Sequence, residues 1–413
     1  MMQTEDIHTG GKGERPIGAT YLALILAGLT SFAPFATDMY LASFPELARV
    51  FATDLGSVQL SLSLFSLGLA VGQVFYGPLI DRFGRKLPMM VGVGLFTVTS
   101  LLIVMAPTID VFIGLRFLQA IGGCAGMIIS RAIIADLFKA HEAAKVLSLM
   151  MLVQGLAPIL APIAGGYVLI AAGWQAIFIF LALYGAACLA AVRWGLPETL
   201  AADQRRREHP LHVLRAWVDL LGTRTFVVPA ATGALAFGSS FAFISGSSFV
   251  YMDLHGVGEG VYGWLFGLNA VGMIVAIQIN RWLLGRLSAG TILNSVFLLF
   301  LGLSCLLMAT ADRLPLFALV AMLFVCLGCV PVIGANTVAI AMEATGAHRG
   351  SGSAILGITQ FAMASLTSAG VGLLHDGTAL PMTGIIFACA LAATLIWFLG
   401  GRWREAKSAS TVQ

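Results

Sequence analysis

The chain has 413 residues, of which 59% are hydrophobic and 10% charged, with 23 Lys and Arg against 20 Asp and Glu. Ordinary soluble domains carry about 25% charged residues, and at a mean hydropathy of +0.93 too little charge remains to cover a water-exposed surface. Soluble enzymes, nucleic-acid binders and disordered scaffolds are excluded on these grounds, and the chain belongs in a bilayer.

Residues 1–16 are polar, and the first apolar run is already long enough to span. No small-residue cleavage site follows a short apolar core, so no cleaved signal peptide is expected. A spanning helix needs about 20 apolar residues. The apolar runs predict helices over 18–45, 57–80, 87–106, 110–135, 145–171, 175–195, 226–250, 260–282, 290–311, 314–341, 350–374 and 380–400. The runs are continuous rather than alternating, which argues against a β-barrel. The expected fold is an all-α membrane protein of twelve transmembrane helices in two six-helix, pseudo-symmetric bundles. Its parts are a tail (1–17), a first bundle (18–195), a polar central loop (196–225), a second bundle (226–400) and a tail (401–413). The halves echo one another at an offset of 206, where Gly122 meets Gly328, Gln154 meets Gln360 and Gly166 meets Gly372. Alternating-access transporters are built from such repeats, with the site between them.

With twelve helices, 20 of the 23 Lys and Arg fall on the side of the two termini. Arg49 and Arg313 fall opposite, and Arg116 falls within a helix. The positive-inside rule therefore predicts cytoplasmic termini and a cytoplasmic central loop. The run Arg205-Arg206-Arg207 in that loop reads first as part of a solvated linker, with contact to anionic headgroups as the alternative. All six cysteines lie in predicted helices, so neither a disulfide framework nor a zinc ribbon fits.

Two charges stand inside helices. Asp38 lies seven residues before Pro45, about 10 Å from the expected helix end, and Arg116 follows Asp110 by six residues, about 9 Å in from the same side. An isolated charge at mid-bilayer costs roughly 2.5–3.5 kcal/mol on insertion scales, so each should pair, line a wet cavity or titrate. Burial disfavours a carboxylate's charged form and a nearby Arg favours it. Asp38 and Arg116 are accordingly the candidates for proton coupling, a permanent ion pair between them being the plainer alternative. Tyr40, Gln119, Gln154, Asn269, Asn336 and Gln360 are polar candidates for a substrate cavity, with Met150, Phe241 and Phe243 as apolar walls. A few polar groups in an apolar cavity suit amphiphilic ligands.

Between the second and third helices stands Gly77-Pro78-Leu79-Ile80-Asp81-Arg82-Phe83-Gly84-Arg85-Lys86. This segment closely resembles the signature loop of the major facilitator superfamily, and its clustered charges suit a latch between helix ends. Arg116-Phe117-Leu118-Gln119-Ala120-Ile121-Gly122 is similar to the superfamily's second motif, whose Arg is tied to proton coupling. Gly155-Leu156-Ala157-Pro158 and Ala161-Pro162-Ile163-Ala164-Gly165-Gly166 resemble the antiporter motif of drug exporters. In that segment Pro can kink the helix and paired Gly allows close approach. Thr37-Asp38-Met39-Tyr40-Leu41, Pro197-Glu198-Thr199-Leu200 and Phe249-Val250-Tyr251 resemble the bicyclomycin/chloramphenicol-type (Bcr/CflA) branch of drug:proton antiporters. Ala42, Ala120 and Ala161 depart from the usual residues of these motifs.

The resemblance implies a multidrug-efflux transporter in the bacterial inner (cytoplasmic) membrane. It would be a monomer with no cofactor, driven by the proton gradient, whose partners are a small-molecule substrate, protons and lipid. A transporter of one metabolite and a non-transporting sensor are the alternatives. An enzyme is not expected: His141-Glu142-Ala143-Ala144-Lys145 lacks the second His of a zinc-protease helix, and neither a nucleophile elbow nor a P-loop occurs. The topology has a direct check. A cysteine in place of Arg206 is expected to react with impermeant thiol reagents in inverted vesicles and to be protected in intact cells. Labelling from outside would reverse the orientation.

Overall fold

The computed structural model describes residues 19–138, 140–201, 205, 210–346 and 348–410. The tail at 1–17, Lys139, and Arg206 and Arg207 of the basic run lie outside the described residues. Helices account for nearly all regular structure, and no strand occurs among the described residues.

The first span, α1 (Tyr21–Val50), is broken rather than continuous. It consists of helices Ala19–Thr30 and Phe32–Asp38, a 3-10 turn Leu41–Ser43, and a helix Phe44–Val50. Pro34 cannot donate to the carbonyl a turn earlier, and Thr30 and Ser31 both donate their hydroxyls to Ala27 O, which bends helices. Pro45 does not end the span as expected. It occupies the first turn of Phe44–Val50, where its missing N–H is no loss. Asp38 therefore stands twelve residues inside the span's end.

Three further spans follow without interruption, α2 (Leu55–Phe83), α3 (Lys86–Val104) and α4 (Ile109–Leu137), and then the long stretch Ala140–Gly195. The last has 56 residues, which as one helix would be about 84 Å long, far beyond a hydrocarbon core of about 30 Å. Gly173, at φ +76 and ψ 174, breaks it, as only glycine does readily. The chain reverses there into α5 (140–172) and α6 (174–195). Trp174 packs on Phe112 near one end of the bundle, and Gly195 meets Tyr21 at the other. A short helix, Pro210–Leu221, lies in the central loop, which the sequence had suggested to be a plain linker. It buries Ala216 and Leu220, Leu220 packing with Phe226 and Ile355. The second half contains α7 (Arg224–Leu254), α8 (Glu259–Leu284), α9 (Ala289–Arg313), α10 (Leu316–Glu343), α11 (Arg349–Leu373) and α12 (Leu380–Gly400). The end where α1 begins and α12 finishes is the terminal end of the bundle; the other is the distal end.

Helices pack mainly within their own half, and two pairs join the halves: α2 with α11, and α5 with α8. Both seams close on glycine at the distal end. A methyl group on Gly166 would lie 2.7 Å from Glu259 O, and one on Gly372 would lie 2.8 Å from Gly56 O. Gly166 and Gly372 are partners in the 206-residue repeat, so the same contact is made twice. Gly165 faces inward instead, and any Cβ there would overlap the Met39 carbonyl of α1. Toward the terminal end α5 and α8 part. Gly155 has only Ile274 Cδ1 nearby, at 4.0 Å, Met151 is 71% exposed, and Ile274, Val275, Gln278, Ile279 and Trp282 line a cleft of about 530 Å³.

These contacts rank the helix-five glycines. Gly165→Ala is expected to cost about 1–3 kcal/mol by overpacking against main chain, visible as a lowered unfolding temperature in detergent. Gly166→Leu should block the distal seam and abolish transport, whereas Gly155→Ala should leave both stability and transport near wild type. Equal melting temperatures for all three variants would show that the close approach carries no weight.

Candidate functional site

Arg116 is fully buried in the first half. Its Nη2 donates to Ala36 O of α1 at 2.7 Å and its Nη1 donates to Gln119 Oε1 one turn along α4. Gln119 Nε2 in turn donates to Ser100 Oγ of α3 at 2.7 Å. Rings of Tyr40 and Phe65 lie 4.2 Å from the guanidinium carbon, and Phe178 lies 5.7 Å away. Cation–π contacts strengthen when desolvated, and this cation has them from α1, α2 and α6 together. Tyr40 Oη also shares a hydrogen bond with Ser61 Oγ of α2. Tyr40 and Gln119, expected in a substrate cavity, thus belong to the binding of Arg116 inside the first bundle. Arg116 Nε has no partner among the described residues.

Asp38 is 4% exposed, and no ion pair to it occurs among the described residues. The permanent Asp38–Arg116 pair is not formed. Arg116 binds the main chain at Ala36 and turns among aromatic rings, while the Asp38 charge reaches Tyr262 of α8 across the seam between halves. The turn that follows, Leu41–Ser43, packs on the second half at α7 and α8. Tyr262, fully buried, shares a 2.9 Å hydrogen bond with Ser247 Oγ. Next to it Tyr251 Oη accepts from Asn269 Nδ2 at 3.1 Å, with the two phenol rings 6.3 Å apart. Asn269 Oδ1 is without a partner among the described residues. A carboxyl group from the first half thus stands beside a hydroxyl–amide cluster from the second.

Other candidates scatter. Asn336 Nδ2 donates to Asn280 Oδ1 at 2.8 Å, joining α10 to α8. Phe243 stacks on Phe266 at 5.4 Å beside Tyr251, whereas Phe241 packs on Phe237. Met150 is buried. Gln154 and Gln360, the repeat partners, are half-buried. Tyr262 and Ser247 were not singled out in the sequence. Ser239, Ser240, Ser245, Ser247 and Ser248 on one predicted helix were the available signal, being too many hydroxyls for a lipid-facing span.

The charged loop is a latch at the terminal end. Gly84, at φ +88, ends α2, and a Cβ there would strike Glu198. Glu198 accepts from the backbone N–H of Arg85 at 2.8 Å and of Lys86 at 3.2 Å, placing an anion on the N-terminus of α3. Arg85 Nε donates to Asp136 of α4 at 2.9 Å, and its Nη1 donates to Asp81 at 3.1 Å. Thr199 Oγ1 also donates to Asp136. Pro197-Glu198-Thr199-Leu200 and the loop are therefore one unit. Arg82 lies over the Phe83 ring and Gly77 sits within α2 with open space beside it, so neither takes part. Pro158 and Pro162 lie inside α5, and Pro162 O is 2.6 Å from where a Cβ on Gly263 would stand.

The sequence profile of the Major Facilitator Superfamily matches residues 26–368. The chain belongs to this superfamily of membrane transporters. An uncharacterized MFS-type transporter, YdgK of Bacillus subtilis, is 35% identical over 386 residues, covering 91% of this chain and 94% of the relative. The bicyclomycin resistance protein homolog of Haemophilus influenzae is 31% identical over 382 residues, 92% of this chain and 96% of that one. Among solved structures, a bacterial homolog of the human lysosomal transporter Spinster, inward-facing and unoccupied, superposes with a TM-score of 0.72 at 13% identity. It covers 95% of this chain and 98% of its own. A D-xylose–proton symporter reaches 0.71 at 15% identity, covering 92% and 97%. At these identities the structures share the fold.

The nest around Arg116 predicts a severe response to its loss. Arg116→Ala would strand Gln119 Oε1 and Ala36 O, at about 1–3 kcal/mol for each unsatisfied buried group. Arg116→Lys would lose the planar stacking and one of two donor directions. Both variants are expected to melt lower in detergent than wild type, Ala lower than Lys. A wild-type melting temperature for Arg116→Ala would mean that the nest is not structural.

Proposed function

We propose that this transporter exports small lipophilic or amphiphilic compounds in exchange for protons, with Asp38 as the proton carrier. The observation that supports this most is the placement of Asp38. It is a buried carboxyl group without a counter-ion among the described residues, beside the seam where the halves meet and one residue from the Met39 carbonyl that packs on Gly165. Motion of α5 or α8 against α1 changes what covers it. The reading draws on the relatives' names, the bicyclomycin resistance homolog and the multidrug resistance protein MdtL of Escherichia coli, which is 27% identical over 365 residues.

In this mechanism Asp38 takes up a proton when the distal end opens. It keeps the proton while enclosed beside Tyr262, since an unpaired ionised carboxylate is poorly tolerated there. Substrate entering from the terminal end displaces the proton as the surroundings of Asp38 become wet. Arg116, fastened two residues away at Ala36, favours the ionised form at that moment and so assists release. The terminal latch of Arg85, Asp136 and Glu198 holds the ends of α2, α3 and α4 as one body during the exchange. The protein works as a monomer in the bacterial cytoplasmic membrane with both termini inside. It needs no cofactor beyond the proton gradient, and its partners are substrate, protons and lipid.

The test is substrate-induced proton release from purified protein in detergent. Substrates would first be found by efflux of a drug panel, with and without a protonophore, in a host stripped of its own exporters. Wild type is expected to release protons on substrate addition and Asp38→Asn to release none while still binding. Undiminished release by Asp38→Asn moves the proton site elsewhere, and efflux indifferent to the protonophore removes the coupling.

A further inference from the structure

The seam of α2 with α11 is built differently from that of α5 with α8. Gly56 and Gly372 meet main chain to main chain at its distal end. About 6–12 Å in from the start of α2, five polar side chains of three helices come together. They are Gln59 and Ser63 of α2, Ser245 of α7, and Ser365 and Ser368 of α11. All are buried, Gln59, Ser245 and Ser368 completely. No Asp, Glu, Lys, Arg, His or Cys occurs in 55–80, 225–252 or 350–374, so no group that titrates near neutral pH stands in these stretches.

Some of these groups hold the halves together. Ser63 Oγ donates to Ser365 O at 2.8 Å, and the two hydroxyl oxygens are 3.1 Å apart. A hydroxyl has one hydrogen, so with Ser63 donating to the carbonyl, the hydrogen between the hydroxyls comes from Ser365. The pair is reciprocal. Gln59 Nε2 adds a bond to Ser245 O at 3.1 Å. Two other groups, Gln59 Oε1 and Ser368 Oγ, have no partner among the described residues. Both belong to the seam. Gln59 Cβ lies 3.3 Å from where a Cβ on Gly372 would stand, and Ser368 is three residues from Ser365 and four from Gly372, on one face of α11. A buried polar group left dry favours whichever state lets water reach it, and these two are wetted when the seam parts.

We infer that a hydrogen-bonded lock between α2 and α11 closes the distal gate and carries its own opposition. The Ser63–Ser365 pair favours the closed state, and the Ser368 hydroxyl and the Gln59 amide oxygen favour the open one. Alternating access requires that both states be reached, and two states exchange readily only when their free energies differ little. The lock keeps them close without a proton, whereas the other seam has Asp38 beside it. This goes beyond the export reading and depends on neither its substrate nor its coupling.

Distances between spin labels on the purified full-length protein in lipid nanodiscs test this. V50C and L374C, exposed positions at the distal ends of the two halves, carry the labels, and the exposed Cys305 is removed as C305S. Pulsed electron paramagnetic resonance then gives the ratio of distal-open to distal-closed molecules, with melting temperature as the control for folding. S63A loses both bonds of the pair and is expected to raise that ratio about tenfold. S365A, which loses one bond, should raise it less, and it serves in place of S63A if that variant does not fold. S368A removes a group that the closed state leaves dry, so it should lower the ratio about fivefold. S63A/S368A should lie between S63A and wild type. The same shifts are expected at acidic and at alkaline pH. A well-folded S63A with the wild-type ratio overturns the inference, as does S63A/S368A as open as S63A alone. An S368A that opens the distal end also overturns it, by showing that the hydroxyl is paired through water in the closed state. Shifts confined to one pH would tie the lock to a titrating group and sink it as well.

Discussion

A guanidinium with no access to water must be given every contact it would have had there, and in this protein that requirement organises the first half. Arg116 draws on the main chain of α1, an amide on its own helix and rings from α1, α2 and α6. Gln119 extends the network to Ser100 of α3. Four other helices are thereby referred to one side chain on α4. Lipid offers no hydrophobic drive for helices to associate, so packing and interhelical hydrogen bonds must do it. A break in α1 follows from the same network, because Ala36 O is directed to Arg116 close to where the helix gives way at Asp38.

The seam between halves uses a different device. Backbone approaches backbone at Gly166 with Glu259 and at Gly372 with Gly56, with no large side chain between. Polar bonds add to it: Gln59 Nε2 donates to Ser245 O, and Ser63 Oγ donates to Ser365 O. Such contacts are shallow and specific, and they can be separated without unpacking either bundle. Toward the terminal end larger residues return and α5 leaves α8. The molecule is tight where Gly166 and Gly372 line the seam and more open at Gly155, beside which only Ile274 Cδ1 lies, at 4.0 Å.

Much of this was legible beforehand. Continuous apolar runs marked the spans, since a bilayer core of about 30 Å imposes a length that few other structures share. Asp38 and Arg116 were visible because charge is rare in such runs. The permanent ion pair, the plainer alternative for them, is not formed, because depth along two helices says nothing about direction around them. The end of α1 was misplaced for a related reason: Pro45 reads as a stop, but it serves equally as the first turn of a new helix. Tyr262 and Ser247 escaped notice because a tyrosine near a helix end resembles an interfacial anchor.

The amino-acid sequence by itself determined the environment, the number and order of the spans, the repeat and the charges that could not be idle, all of which follow from local composition and period. Only the tertiary structure decided which neighbours those charges meet. Arg116 turned into its own bundle and Asp38 toward α8, because the rotation of each helix is set by packing against others distant in the chain. Glu198 capping α3 across more than a hundred residues is the same case: a helix N-terminus advertises a place for an anion, but only the folded chain brings one there.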